Sequence, residues 1–78
     1  MPNEWIDRLT ELQQLLAVCP TDIVARCELA SLLEELGQHE EALSHWKAAV
    51  ATDQNHLKAR EGMTRCQQRM RRPLQSWS

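Results

Sequence analysis

A run of small and large apolar residues between positions 23 and 56 constrains the fold of this chain more than any other feature. Its members fall at helical spacing on both sides of Gly37, and they are Leu29, Ala30, Leu33, Ala42, Trp46 and Ala49. Small residues allow two helices to approach closely, and large ones fill the space between them. Glycine directly after a helix adopts the left-handed backbone that ends it. The segment therefore predicts two antiparallel helices joined at Gly37.

The flanking segments carry the same helical periodicity. Asn3 is a suitable N-cap for a first helix, and Pro20 marks its end. Pro73 is expected to end a fourth helix because proline lacks the N–H that continues the ladder. The sequence predicts an all-α chain forming a single domain over residues 1–78. Its helices are expected over residues 4–18, 22–36, 40–52 and 55–71, followed by a tail at 73–78.

The pattern repeats at an interval of about 34 residues. Ala25-Arg26 corresponds to Ala59-Arg60, and Leu12 corresponds to Trp46. Together with the packing residues named above, this interval resembles the tetratricopeptide repeat family. The resemblance implies a right-handed superhelical array of antiparallel hairpins, with one full repeat at 23–56 between two half repeats. An unrelated four-helix bundle with coincidental spacing is the alternative fold.

The resemblance also implies a non-catalytic adaptor. In such arrays the first helices of successive repeats line a groove that accepts a partner peptide or helix. Transferred to this chain, that groove side predicts a partner-binding set: Cys27, Ser31, Glu34, Glu35, Lys58, Arg65 and Arg69. The alternative interpretation is that these side chains form ordinary solvated faces.

Self-association is the alternative function. The first helix carries a broad apolar stripe that includes Trp5 and Leu9, and one neighbouring helix need not cover it. The charge distribution is also uneven. Residues 1–56 hold three basic and ten acidic side chains, whereas residues 57–78 hold six basic and one acidic. Opposite charges at the two ends favour contacts between copies, and the sequence predicts a possible homo-oligomer.

Other functional classes are not favoured by the sequence. It has no glycine-rich phosphate loop and no recognisable catalytic triad, so we expect no enzyme activity and no cofactor. Cys27 and Cys66 lack the close pairwise spacing of structural zinc ligands, and we expect no metal. Exposed positions are the default expectation for His39, His45 and His56.

Nucleic acid is not an expected partner, because aromatic residues are not interleaved with the basic cluster. No stretch approaches the length of a membrane span, and the first residues lack the pattern of a secretory signal. The three cysteines, an odd number without a CxxC motif, suit a reducing compartment. We therefore expect a cytoplasmic protein.

Overall fold

A computed structural model describes the backbone of residues 4–75 and the side chains of residues 4–70. Within that range the chain forms four α-helices and no strand, as the all-α prediction requires. The helices are α1 (Glu4–Val18), α2 (Ile23–Glu35), α3 (His39–Thr52) and α4 (Leu57–Gln75). Each helix packs against the next one along the chain, so the short connections create a series of helical hairpins.

The α2–α3 turn has the geometry that the sequence predicts. Gly37 has a φ of 83°, in the left-handed region. Its amide donates to the carbonyl of Glu34 at 3.0 Å, and the amide of Gln38 donates to the carbonyl of Leu33 at 2.8 Å. This pair of hydrogen bonds satisfies carbonyls at the end of α2 and defines a Schellman motif. Gly37 is confirmed as the terminator of α2.

The fourth helix begins later than predicted. The backbone amide of Asn55 donates to the Asp53 carboxylate at 3.1 Å, which folds the residues after α3 into a turn. His56 then caps the helix, because its Nδ1 accepts from the amide of Ala59 at 3.2 Å. The predicted start near Asn55 is therefore two residues early, and α4 begins at Leu57.

The fourth helix also ends later than predicted. Its backbone continues past Pro73 to Gln75, whereas the sequence predicted an end near Arg71 and a tail from residue 73. Proline at position 73 removes the helical hydrogen bond to the carbonyl of Arg69. The loss is a single bond near the end of the helix, at the exposed residue Arg69, where water can replace the missing donor. The remainder of the predicted tail, residues 76–78 with Trp77, lies outside the described residues.

The core forms around α2, which packs against the other three helices. Within the described residues α1 packs against α2 alone. Trp46 of α3 is fully buried and lies against Gly62 of α4. The buried hydrophobic residues are Leu12, Leu16, Ala25, Cys27, Leu29, Ala30, Leu33, Ala42, Leu43, Trp46, Ala49, Ala59 and Cys66. The packing residues that predicted the hairpin are all among them.

Candidate protein-binding groove

A groove of about 530 Å³ lies between α2 and α4 at the end of the molecule that carries the α2–α3 turn. Its lining is almost entirely polar or charged: Ser31, Glu34, Glu35, Gly37, His39, Arg65 and Arg69. Most of the residues predicted to bind a partner therefore share one surface. They meet because α2 and α4 pack side by side, although they are far apart in the sequence.

A bidentate ion pair crosses the groove. Arg65 Nε donates to Glu34 Oε2 at 2.7 Å, and Arg65 Nη2 donates to Glu34 Oε1 at 2.8 Å. The indole N–H of Trp46 adds a third hydrogen bond to Glu34 Oε1 at 3.3 Å. The hydrogen bonds from Arg65 are the main cause that lowers the pKa of the Glu34 carboxyl. Glu34 and Arg65 thus form an ion pair with each other, and this pair links α2 to α4.

Two predicted contact residues lie outside the groove lining. Cys27 is only 3% exposed and belongs to the core, so its prediction as a partner contact is corrected. Its thiol packs on the apolar side of α2, and burial raises its pKa. Lys58 is exposed on α4 but does not line the groove. Of the residues predicted to bind a partner, those that line the groove are therefore Ser31, Glu34, Glu35, Arg65 and Arg69.

The histidines differ from the sequence-based expectation of exposed positions. His39, His45 and His56 are all half-buried. His39 lines the groove, and its Nδ1 is buried with no hydrogen-bond partner within the described part of the chain. The signal that could have placed His39 there is its position just after the Gly37 turn, which returns the chain beside the end of α2.

The predicted self-association residues lie on α1. Trp5 is 45% exposed, together with Ile6, Leu15 and Val18. Leu9 is partly buried and packs against the core, so it offers less free surface than the sequence suggested. The apolar side of α1 is thus incompletely covered, because α2 is its sole packing partner among the described residues.

Neither a metal-binding cluster nor a membrane-spanning helix is found among the described residues. No group of three or more His, Cys, Asp or Glu side chains there is arranged to hold a metal ion. Across the same part of the chain, no helix combines the length and the apolar character needed to cross a membrane.

A series of helical hairpins with an internal repeat defines the class of helical-repeat proteins. Residues 11–44 match the family model described as "Tetratricopeptide repeat". This segment is a tetratricopeptide repeat, as the sequence predicted. Tetratricopeptide repeats generally mediate protein–protein interaction and are typically non-enzymatic modules. Neither the comparison with curated proteins nor that with solved structures gives a match.

The matched segment starts in α1, contains all of α2 and ends in α3. The sequence pattern placed the full repeat at 23–56, beginning with α2. Both 34-residue segments contain the Gly37 turn. They differ only in which helix is taken as the start of the repeat. The matched frame includes the second half of α1, which is compatible with a half repeat before α2.

Proposed function

We propose that this chain is a non-catalytic adaptor whose 78 residues act as one domain. Its partner is a peptide or helix of another protein, held in the groove between α2 and α4. The observation that carries the proposal is the convergence of charged side chains from two separate helices on one open surface. A cytoplasmic location completes the proposal and is supported by three free cysteines.

The ion pair across the groove has a positioning role in this proposal. Glu34 and Arg65 satisfy each other and fix the separation of the two helices. Ser31, Glu35 and Arg69 then remain along the groove as groups that a partner can reach. Such a lining favours a partner segment with complementary polar and charged side chains, because most of the lining residues carry a polar or charged group.

Charge reversal at Arg69 tests the groove. Arg69 is exposed and lines it, so Arg69→Glu should remove the partner while leaving the Glu34–Arg65 pair in place. Lys47→Glu is the matched control, since Lys47 is an exposed cation of α3 outside the groove lining. The three proteins would be used as bait, with captured proteins quantified by mass spectrometry.

A partner retained by wild type and Lys47→Glu, but reduced at least tenfold by Arg69→Glu, supports groove binding. A photo-crosslinking residue at Ser31 would then have to label the same partner. Equal capture by all three baits contradicts the proposal, because it places the contact on another surface. Normal circular dichroism of Arg69→Glu is required in either case.

Self-association is a second candidate function, favoured by the exposed apolar side chains of α1. Trp5→Ala tests it directly, because Trp5 is the largest of them. If α1 contributes to an interface, the weight-average mass measured by light scattering should fall in this variant. Leu9 is a poorer probe than the sequence suggested, because its substitution would also disturb the core.

A further inference from the structure

The two end helices of this chain correspond to two helices that pack together inside it. At the repeat interval of about 34 residues, α4 corresponds to α2 and α1 corresponds to α3. Inside the chain, α2 and α3 form the central hairpin. We propose that copies join head to tail, with α4 of one copy packed on α1 of the next as α2 packs on α3. This inference rests on the second candidate function, self-association, and specifies the two surfaces that meet.

One observed contact sets the register of the proposed interface. Arg26 Nη1 lies 3.2 Å from His45 Nδ1, across the α2–α3 hairpin. Arg26 corresponds to Arg60 one interval later, and His45 corresponds to Glu11 one interval earlier. The same geometry between two copies therefore brings the guanidinium of Arg60 to the carboxylate of Glu11. Both side chains are exposed, and Glu11 already accepts from Arg8 Nη1 at 2.8 Å, so Arg60 would add a second cation to that carboxylate.

The charges of the two helices are complementary beyond that pair. Helix α1 carries three acidic side chains and one basic, and its open side is lined by Glu4, Asp7, Arg8, Thr10, Glu11 and Gln14. Helix α4 carries six basic side chains and one acidic. A symmetric contact between two α1 helices would bring like charges together. Pairing of α1 with α4 brings unlike charges together and is the favoured arrangement.

Exposed apolar side chains also meet in this register. The two helices of a hairpin run in opposite directions, so the start of α4 meets the end of α1 in the next copy. Leu57 at the start of α4 is 67% exposed, and Leu15 and Val18 near the end of α1 are 45% and 86% exposed. Their burial against one another would supply an apolar centre beside the charged pair.

The proposed contact differs from the internal hairpin in one respect. Leu15 stands where α3 has Ala49, and Arg8 stands where α3 has Ala42. These larger side chains hold the helices farther apart than α2 and α3, so the packing is looser. We therefore expect reversible association whose average mass rises with concentration. A head-to-tail contact does not have to close into a ring, so the average mass should rise beyond that of a dimer.

A charge-swap experiment tests the proposal. The first variant makes α1 basic with Glu4→Lys and Glu11→Lys, and the second adds negative charge to α4 with Arg60→Glu and Gln68→Glu. All four positions are exposed, so folding should be retained, as checked by circular dichroism. Analytical ultracentrifugation at about 10 to 100 μM should show association of wild type and at least a tenfold weaker association of each variant.

Restoration of assembly is the decisive result. A chain carrying all four substitutions exchanges the charges of the Arg60–Glu11 pair and again opposes basic positions on α1 with acidic positions on α4, so it should associate with itself again. An equimolar mixture of the two variants should associate as well. The four-substitution chain is also the control for nonspecific damage, because it contains every change and differs only in complementarity.

The remaining outcomes separate this inference from the function on which it rests. If α1 reversal weakens association but α4 reversal does not, copies join through a different surface and the head-to-tail arrangement is wrong. If both variants lose association and the combined chain does not recover, the arrangement is also wrong. If wild type stays a single chain throughout the concentration range, both this inference and the self-association function are overturned.

Discussion

The packing role of Gly62 in α4 cannot be read from helix propensity. A glycine inside a helix costs about 1 kcal/mol relative to alanine, so its presence in α4 looks unfavourable in the sequence. In the structure the indole of Trp46 lies directly against the backbone of α4 at this point, and a Cβ at position 62 would lie 2.7 Å from Cζ2 of Trp46. Trp46 is fully buried and cannot move aside without disturbing the core. The glycine therefore creates the space for the largest core side chain.

Substitution of this glycine should destabilise the protein despite the better helix propensity of alanine. Insertion of a methyl group into a packed core costs about 1–3 kcal/mol, which exceeds the gain in propensity. We expect Gly62→Ala to lose about 1–2 kcal/mol in urea unfolding followed by circular dichroism. Glu61→Ala is the control, since Glu61 is exposed on the same helix, and its effect should stay within about 0.5 kcal/mol. A more stable Gly62→Ala protein would show that Trp46 can adjust.

The two glycines show what local sequence can and cannot predict. The role of Gly37 was predictable, because it depends only on its position after the last apolar residue of α2. The role of Gly62 was not, because it depends on which residue of α3 faces it. The partner-binding assignment of Cys27 failed for the same kind of reason, since burial by neighbouring helices is not visible in the helix that carries the residue.

At the scale of elements, the α2–α3 hairpin holds an unusual polar contact. Arg26 is half-buried in this hairpin, and its Nη2 donates to the carbonyl of Pro20 at 2.9 Å. Its Nη1 donates to His45 Nδ1, so the imidazole must accept and is neutral. Burial, together with the Arg26 cation, lowers the pKa of His45. Protonation would place two cations side by side between the helices.

This contact predicts a pH dependence of stability. The folded pKa of His45 lies below the ordinary value of about 6.5, so the unfolded chain binds the proton more readily. The contribution of His45 to the free energy of unfolding is fully present above its ordinary pKa. This contribution is lost as the pH falls from there towards the folded pKa. We expect the urea midpoint of wild type to decrease between about pH 7.5 and pH 5.5. His45→Gln should show a flatter profile, and an unchanged slope in that variant would contradict the assignment.

The groove could be predicted from the sequence only in part. The 34-residue interval places α2 and α4 in equivalent positions, and helical spacing then selects the sides that face each other. That reasoning found Ser31, Glu35 and Arg69. It did not find the Glu34–Arg65 pair, because whether two charged side chains bind each other or a partner depends on the distance between helices.

At the scale of the whole molecule, the dominant feature is the unequal distribution of charge. Residues 1–56 are strongly acidic and the remainder is strongly basic, although the net charge of the chain is only −2. Inside the chain, the Glu34–Arg65 pair already joins the two regions. The acidic open side of α1 lies at the other end of the helix order from basic α4. Complementary charges on the two end helices provide attraction between copies as well as within one.

Association driven by these charges should weaken in salt. The Debye length falls from about 10 Å at 0.1 M to about 3 Å at 1 M ionic strength, which screens exposed pairs such as Arg60 with Glu11. We expect the weight-average mass of wild type at about 100 μM to fall towards that of a single chain over this range of NaCl. Sedimentation of the chain with all four substitutions provides the control, because it should show the same decline. A mass that stays constant or rises with salt would indicate that apolar contacts of Trp5 and its neighbours dominate, since salt strengthens apolar association while it screens charge.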